Sequence, residues 1–239
     1  MTWSIVAREP NGSFGIAIAS RFFAVGALCV HGRSGAGALA TQALMNPLYG
    51  HRGIEMLAKG TPAGDVLSAL ITRDVGREHR QLHIVDAQGR VAAHTGAACI
   101  DWCGHIAGEG FSVAGNMLAG PDVLAATAAA FVASHKLTFA ERLLAALDAG
   151  DAAGGDKRGR QSAALQVHAG EEYPSLDLRV DDHEAPFVEL RRLHDRSLER
   201  FQPFLACLPN RARPAGITDR SVIETEIERF AAAQAKRKR

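Results

Sequence analysis

The chain has 239 residues, of which 47% are hydrophobic and 22% are charged, a globular composition that excludes wholesale disorder. Its formal net charge of +1 gives no electrostatic reason to expect nucleic acid or an anionic membrane as a partner. No apolar run approaches the roughly 20 residues that a membrane-spanning helix needs, and the four scattered cysteines do not resemble a disulfide framework. We expect a reduced, cytoplasmic protein without a signal peptide.

The first half of the chain begins with strands and continues with helices. In chain order, the predicted strands cover residues 2–8, 14–20, 24–31 and 36–42. The first two are apolar and the intervening residues 9–13 are typical of a turn, which predicts a hairpin buried on both faces. From Pro47 the apolar spacing becomes helical and predicts two helices separated by Gly60-Thr61-Pro62.

The second half repeats this pattern of strand runs and helix pairs. The predicted strands cover residues 81–86, 90–95, 110–115, 161–169 and 177–180, and the predicted helices cover 121–134, 138–149 and 184–201. This order differs from the strict alternation of a doubly wound parallel sheet. It favours an α+β fold, which we predict to be a four-layer αββα sandwich with two stacked sheets and a helical layer outside each.

Composition divides the chain near its end. We predict a domain over residues 1–208 and a linker rich in Arg, Pro and Ala over 209–218. Residues 219–239 are expected to form a charged amphipathic helix or tail that docks on the domain or binds a partner. The size class alone suggests a homodimer.

Thr2 is the first candidate for chemistry. A threonine in the second position is small enough for Met1 to be removed, which would leave Thr2 with a free α-amine beside its hydroxyl. An α-amine has an unperturbed pKa of about 7.7–8.0, so it can serve as the base for the hydroxyl near neutral pH. The alternative is a structural threonine at the beginning of a strand.

Six blocks of sequence support the catalytic interpretation. They are TWSIVA (2–7), SRFFAVG (20–26), GAGA (35–38), ATQ (40–42), GNML (115–118) and GGDKRGRQS (154–162). Together they resemble domain-of-unknown-function family 1028 (DUF1028), over a match from Thr2 to about Leu193. That family is similar to the N-terminal-nucleophile (Ntn) hydrolases, so the resemblance implies an αββα sandwich and hydrolysis of an amide bond by an N-terminal threonine.

In this interpretation three more residues lie near Thr2. Ser4 shares a strand face with Thr2. It orients the amine or relays a proton, or else it only hydrogen-bonds its own backbone. Ser20 and Arg21 end the second strand, which antiparallel pairing brings back to Thr2. Arg21 then either binds a substrate carboxylate or is an ordinary surface residue.

Further candidates lie in the loops. Asn116 is either an oxyanion donor or a turn residue with left-handed backbone. Asp156 can hold the Thr2 amine and Arg160 can bind an anion, although both would also suit a charged surface loop. Gln42 and Asn46 are weaker candidates for lining the site.

The sequence favours a small-molecule substrate, with no nucleic acid, membrane, metal or cofactor. Cysteines and histidines occur at short spacing in Cys99-x3-Cys103-x-His105 and His79-x3-His83, but neither spacing matches a familiar zinc pattern. The first hypothesis is an amidohydrolase that acts on a small anionic amide. The alternatives are a non-catalytic protein that binds small anions and a structural component that assembles through residues 219–239.

Overall fold

The computed structural model describes residues 2–237 and contains a mixture of helices and antiparallel strands. The strands are β1 (Thr2–Arg8), β2 (Phe14–Ser20), β3 (Val30–Arg33), β4 (Gly37–Ala43), β5 (Arg80–Asp86), β6 (Val91–Thr95), β7 (Gly104–Gly108), β8 (Phe111–Asn116), β9 (Ser162–His168) and β10 (Leu176–Val180). The helices are α1 (Pro47–Ala58), α2 (Ala63–Thr72), α3 (Asp122–Ala133), α4 (Phe139–Ala152), α5 (Pro186–Ser197), α6 (Phe201–Leu205) and α7 (Arg220–Arg237). The predicted α+β class is confirmed.

The strands form two antiparallel sheets. One sheet has six strands in the order β10-β9-β2-β1-β8-β7, and the other has four in the order β3-β4-β5-β6. β1 and β2 form the predicted hairpin and are buried along almost their whole length. In the hairpin turn Gly12 has φ +88°, a conformation that glycine adopts without a steric penalty. Because β1 lies between β2 and β8, segments distant in sequence flank its first residue.

The helices contact the sheets in pairs. α1 and α2 pack against the four-stranded sheet, whereas α3 and α4 pack against the six-stranded one. Asn46 caps α1 and is followed by Pro47 at a position where the missing N–H is harmless. Thr138 and Glu141 form a capping box that begins α4. The local sequence therefore fixes where both helices start.

Side chains alternate between the faces of each sheet, and this separates the apolar cores on its two sides. One core lies between the sheets and includes Val6, Ile16, Ile18, Ala38, Ala40 and Val85. Another lies between the four-stranded sheet and its helices and includes Leu39, Leu57, Val66, Leu82 and Ile84. Ser4 shares its face with Val6 and consequently lies between the two sheets, where a polar side chain needs a partner.

One predicted strand was wrong, and one strand of the structure was not predicted. The strand predicted over 24–31 begins only at Val30, because Ala24 has left-handed backbone (φ 51°) and Val25–Ala27 form a 3-10 turn. The backbone N–H of Ala24 donates to the Asp181 carbonyl, and the backbone N–H of Val25 donates to Ser162 Oγ. Neither N–H therefore pairs with the backbone of a neighbouring strand. The strand Gly104–Gly108 was not predicted, since its five residues carry no buried apolar stripe.

Contacts divide the chain into two compact units, one ending at Leu190 and one beginning at Arg191. The first contains both sheets. Within the second, Arg200 donates to both carboxylate oxygens of Glu224 on α7, at 3.0 and 2.6 Å. The predicted boundaries at residues 208 and 218 stay predictions. Within residues 2–237, none of the helices combines the length and apolar character needed to cross a membrane.

Candidate active site

Thr2 lies where the ends of three strands meet. In the register of the sheet it is opposite Ser20 of β2 and opposite Asn116 of β8. Its Oγ1 lies 3.2 Å from Ser20 Oγ, and only 6% of Thr2 is exposed. Antiparallel pairing thus brings together three residues that the sequence nominated separately. Met1, whose removal the prediction requires, lies outside the described residues.

Ser4 connects β1 to the second sheet. Its hydroxyl donates to Gln42 Oε1 at 2.6 Å and lies 2.8 Å from Nε2 of His83. These three residues are at most 1% exposed. Gln42 Nε2 also lies 3.5 Å from the Thr2 carbonyl oxygen. Ser4 and Gln42 therefore belong to one buried network that reaches the backbone of Thr2.

A second buried amide, Gln81, orients two of the predicted site residues. Its Oε1 accepts from Gln42 Nε2 at 3.0 Å and from Asn116 Nδ2 at 2.8 Å. Its Nε2 lies 2.7 Å from the Gly115 carbonyl and 3.1 Å from Thr95 Oγ1. Because Gln81 accepts from both amides, each is held by a protein partner in a single orientation.

The amide of Asn116 points into the protein. Besides Gln81, its Nδ2 has the Thr2 carbonyl oxygen as a neighbour at 3.5 Å. Asn116 is 2% exposed. In this arrangement the side chain positions the backbone of Thr2, and donation to a substrate oxyanion requires an Nδ2 hydrogen to turn away from Thr2.

His83 is neutral at physiological pH. Burial, followed by the charge on neighbouring His105, lowers the pKa of His83 to about 3, and the Ser112 backbone opposes this shift. Since Gln42 uses its Nε2 as a donor, its Oε1 takes the Ser4 proton, and Ser4 accepts from His83 Nε2. The Ser4 proton therefore points away from the imidazole, so Ser4 and His83 are not arranged as a nucleophile and its base.

The polar loop after α4 holds the strand ends together. Asp156 is buried, and its carboxylate accepts from the backbone N–H of Arg21 at 2.9 Å and of Arg158 at 2.7 Å. The Arg158 guanidinium lies 3.4 Å from the same carboxylate. A β-bridge pairs Asp156 with Leu118, two residues beyond Asn116. Asp156 is thus placed beside both neighbours of β1.

The two predicted arginines take different directions. Arg21 is exposed, and its Nη1 donates to the Arg160 carbonyl at 2.9 Å. The Arg160 side chain instead donates from Nε to Asp151 of α4 at 2.6 Å and lies over the Phe187 ring, 5.9 Å from its centroid. Burial raises the pKa of Asp151, and Arg160 opposes that shift. Arg21 stays at the strand end, whereas Arg160 packs toward α4.

Asn46 belongs to another cluster. As the cap of α1 its Oδ1 accepts from the Leu48 N–H at 3.2 Å, and its Nδ2 donates to Asp74 at 3.2 Å. The Tyr49 hydroxyl donates to the same carboxylate at 2.6 Å. That bond is the largest of several that keep the pKa of Asp74 well below its usual range, although burial opposes them. A substrate contact for Asn46 stays a prediction.

A cavity of about 190 Å³ adjoins Asn116. Its lining residues are Ala43, Leu44, His79, Ala98, Cys99, Ile100, Asn116 and Met117. Ala43 and Met117 directly follow Gln42 and Asn116, and both have left-handed backbone, with φ of 65° and 53°. For residues with a Cβ such backbone costs of order 1–3 kcal/mol and persists only where its surroundings impose it. Strained residues from both sheets therefore flank this cavity.

Comparison with known proteins identifies the family. The model of DUF1028, a family of unknown function, matches residues 2–190. The chain belongs to this family. The crystal structure of protein SPO2555 from Silicibacter pomeroyi, also DUF1028, is 34% identical and has a TM-score of 0.84, covering 91% of this chain and 96% of that one.

Other comparisons add little. Anbu (ancestral beta-subunit) from Yersinia bercovieri aligns over 87% of this chain and 98% of its own, at 13% identity. Its TM-score of 0.35 is too low to indicate a shared fold. None of the curated proteins compared with the chain matches it.

Two members of the network in this DUF1028 chain were not predicted from the sequence. Gln81 had no predicted role, and His83 was considered only as a metal ligand. Their signal was strand alternation, because Gln81 and His83 are polar and share one face of β5, whereas Leu82 and Ile84 occupy the other. Polar residues repeated on one face of a buried strand predict a polar network between the sheets.

The short-spaced cysteines and histidines of this DUF1028 chain have other partners. Cys103 Sγ donates to the Cys99 carbonyl at 3.6 Å, and His105 Nδ1 lies 2.9 Å from Thr95 Oγ1. Over residues 2–237, no three His, Cys, Asp or Glu side chains are grouped so that they could hold a metal ion. All four cysteines are free thiols.

Proposed function

We propose that this DUF1028 protein is an Ntn-type amidohydrolase whose nucleophile is Thr2. The observation that carries the proposal is the position of Thr2, which is almost buried at the end of a central strand, between Ser20 and Asn116. A hydroxyl held at a strand end, opposite a residue that lines a cavity (Asn116), meets the first requirement for attack on a bound carbonyl. The resemblance to Ntn hydrolases supports the same assignment.

The reaction requires removal of Met1. The Thr2 hydroxyl attacks the amide carbonyl while the free α-amine accepts its proton, which gives a tetrahedral intermediate. That intermediate collapses as the resulting ammonium group returns a proton to the departing amine, leaving an acyl ester on Thr2. Water, deprotonated by the α-amine, then hydrolyses the ester, releases the acid and restores Thr2.

The neighbouring residues have distinct roles in this proposal. Ser20, within hydrogen-bond distance of the Thr2 hydroxyl, orients it. Asp156 holds the strand end at Arg21, and Arg21 binds the negative charge of the substrate. Asn116 positions Thr2 and supplies an oxyanion donor once an amide hydrogen is released.

We also propose that the fold is the four-layer αββα sandwich of the Ntn type. Three contacts support this layering: α1 and α2 on one sheet, α3 and α4 on the other, and the apolar core shared by the two sheets. A cytoplasmic location, which we propose as well, fits four cysteines that are all free.

Substitution of Thr2 tests the proposal. N-acyl amino acids are screened for turnover with protein whose intact mass shows loss of Met1. Thr2→Ala should abolish turnover while leaving the fold intact, whereas Thr2→Ser should retain part of the turnover because a hydroxyl and an amine remain. Thr225→Ala, which removes an exposed threonine hydroxyl on α7, is the matched control. Full turnover by Thr2→Ala would refute the assignment.

A second candidate is a non-catalytic protein that binds small anions. It is favoured by the Asn116 amide, which points at Gln81 and the Thr2 carbonyl rather than toward a substrate. In that case small carboxylic acids should raise the melting temperature by mass action. They should do so equally in wild type and Thr2→Ala, and no amide should be turned over by either protein.

A further inference from the structure

The two sides of Thr2 differ in chemistry. On the β2 side Ser20 leads directly to Arg21, which lies in a loop region rich in arginine. On the β8 side Asn116 leads to Met117 and the cavity of about 190 Å³. A carbonyl bound at Thr2 would therefore have a cationic surface on one side and this cavity on the other.

The cavity is predominantly apolar. Five of its lining residues contribute methyl, methylene or thioether groups: Ala43, Leu44, Ala98, Ile100 and Met117. Burial raises the pKa of the Cys99 thiol to about 11, so this lining group is neutral at pH 7. Its Sγ donates to the Arg80 carbonyl at 3.4 Å, which turns the S–H toward the backbone.

Leu44 and Ile100 mark the solvent side of the cavity. They are 63% and 60% exposed, although both are large aliphatic residues, and they come from segments that follow different strands. Exposed aliphatic side chains around a concave surface are typical of a ligand site. At about 30 Å³ for each non-hydrogen atom, the volume of a water in the liquid, about six such atoms fit.

We propose that this cavity binds the acyl chain of the substrate, and that the substrate class is N-acyl amino acids with a short aliphatic acyl group. This inference rests on the proposed function, since it takes Thr2 as the site of the scissile carbonyl. The acyl chain enters the cavity beside Asn116. The amino-acid carboxylate lies on the opposite side and pairs with Arg21.

The test measures binding separately from turnover. The probes are N-acetyl-, N-butanoyl-, N-hexanoyl- and N-octanoylglycine, titrated into Thr2→Ala protein by calorimetry. Affinity should rise about fourfold for each methylene up to the hexanoyl chain, because each methylene leaves water for an apolar cavity. It should not rise further with the octanoyl chain, which exceeds the volume.

Matched variants show whether the chain occupies this cavity. Leu44→Asp puts a charge on the rim of the cavity and should remove the dependence of binding affinity on acyl-chain length. Leu48→Asp makes the same change at another exposed leucine, 52% exposed in the first turn of α1, and should preserve that dependence. Equal affinity of the Thr2→Ala protein for the acetyl and hexanoyl probes would overturn the inference. So would a Leu44→Asp variant whose affinity still rises with the length of the acyl chain.

The two proposals fail in different ways. If the wild-type protein binds the N-acylglycines with the expected dependence on chain length but hydrolyses none of them, the acyl site is supported and the catalytic role of Thr2 is wrong. If wild type hydrolyses N-acyl amino acids without regard to chain length, Thr2 keeps its role and the acyl site is wrong.

Discussion

Gln81 is the residue on which the inter-sheet network depends. It is completely buried, and its one carbonyl oxygen accepts from the side-chain amides of Gln42 and Asn116. A buried polar network stabilises a fold only when its members are satisfied, since an unpaired donor in the core costs more than a paired one contributes. Gln81 thus links stability to the geometry around Thr2.

Replacement of Gln81 by leucine should therefore destabilise the protein strongly. Two buried amides and the Gly115 carbonyl would each lose a hydrogen-bond partner. Because each unsatisfied group costs about 1–3 kcal/mol, the free energy of unfolding should fall by at least about 3 kcal/mol. Urea denaturation measures the change. Gln88→Leu, at an exposed glutamine in the β5–β6 turn, should change stability by less than about 0.5 kcal/mol. Similar effects at both positions would contradict the role of Gln81.

The buried imidazole of His83 should make the stability of the protein depend on pH. Its pKa is lowered to about 3 in the folded protein, by burial first, whereas an unfolded histidine titrates near 6.5. Below pH 6.5 the unfolded chain binds a proton that the folded chain does not, so stability falls as the pH falls toward 3. This one group should account for a loss of about 2 kcal/mol in unfolding free energy between pH 7 and pH 5.

The His83 contribution can be isolated by substitution. His83→Gln keeps a donor near Ser4 but does not titrate, so its unfolding free energy should fall by about 2 kcal/mol less than that of wild type between pH 7 and pH 5. The same substitution at His135, which is exposed, is the control. Identical pH profiles for wild type and His83→Gln would show that His83 is not buried as a neutral imidazole.

At the scale of elements, the strand ends at the site carry left-handed backbone. Ala43 ends β4 and Met117 follows β8, and both line the proposed acyl cavity. Neither residue type favours this conformation, so the sheet pairing on one side and the following loop on the other must impose it. The chain bends at these two points, and the bends leave room for the cavity.

Ala43→Gly should reveal this strain. Alanine to glycine ordinarily costs about 0.5–1 kcal/mol, because glycine loses more conformational freedom on folding. At Ala43 the relief of the left-handed Cβ contact, roughly 1–2 kcal/mol, should offset that cost and leave stability unchanged or slightly higher. Ala133→Gly, at the end of α3, should show the ordinary loss in the same denaturation experiment. Equal losses at the two positions would show that Ala43 is unstrained.

These elements also show what the sequence could and could not predict. The hairpin and the helix pairs were predicted, because apolar period and turn chemistry are local signals. The start of α1 was predicted correctly, since the apolar spacing becomes helical from about Pro47. The left-handed Ala43 and the strand β7 were not predictable, because neighbours distant in sequence impose them.

The same distinction applies to the site. Thr2, Ser20, Asn116 and Asp156 were nominated from sequence, and strand register brings them together. The direction of Arg160 could not be predicted, since it depends on Asp151, the residue before the last of α4.

At the scale of the whole molecule, the candidate site residues and α7 belong to different compact units. The residues proposed to act on substrate lie before Leu190, in the unit that holds both sheets. In the other unit, the Arg200–Glu224 pair holds α7 to the chain before it. The segment that leads to α7 is held by a backbone bond from Ile217 to the Cys207 carbonyl at 2.7 Å. We expect α7 to act in stability or assembly rather than in chemistry.

Truncation after Leu208 tests that division. Because the shortened chain keeps both sheets and α5, it should retain turnover of N-acyl amino acids and an unchanged KM. Light scattering on both proteins gives the oligomeric state, for which we expect twice the 25.4 kDa chain mass in the full-length protein. If the truncated chain keeps the dimer, α7 does not form the interface, and the assembly hypothesis for residues 219–239 is wrong. If it keeps its melting temperature but loses turnover, the C-terminal region contributes to the site, and the division proposed here is wrong instead.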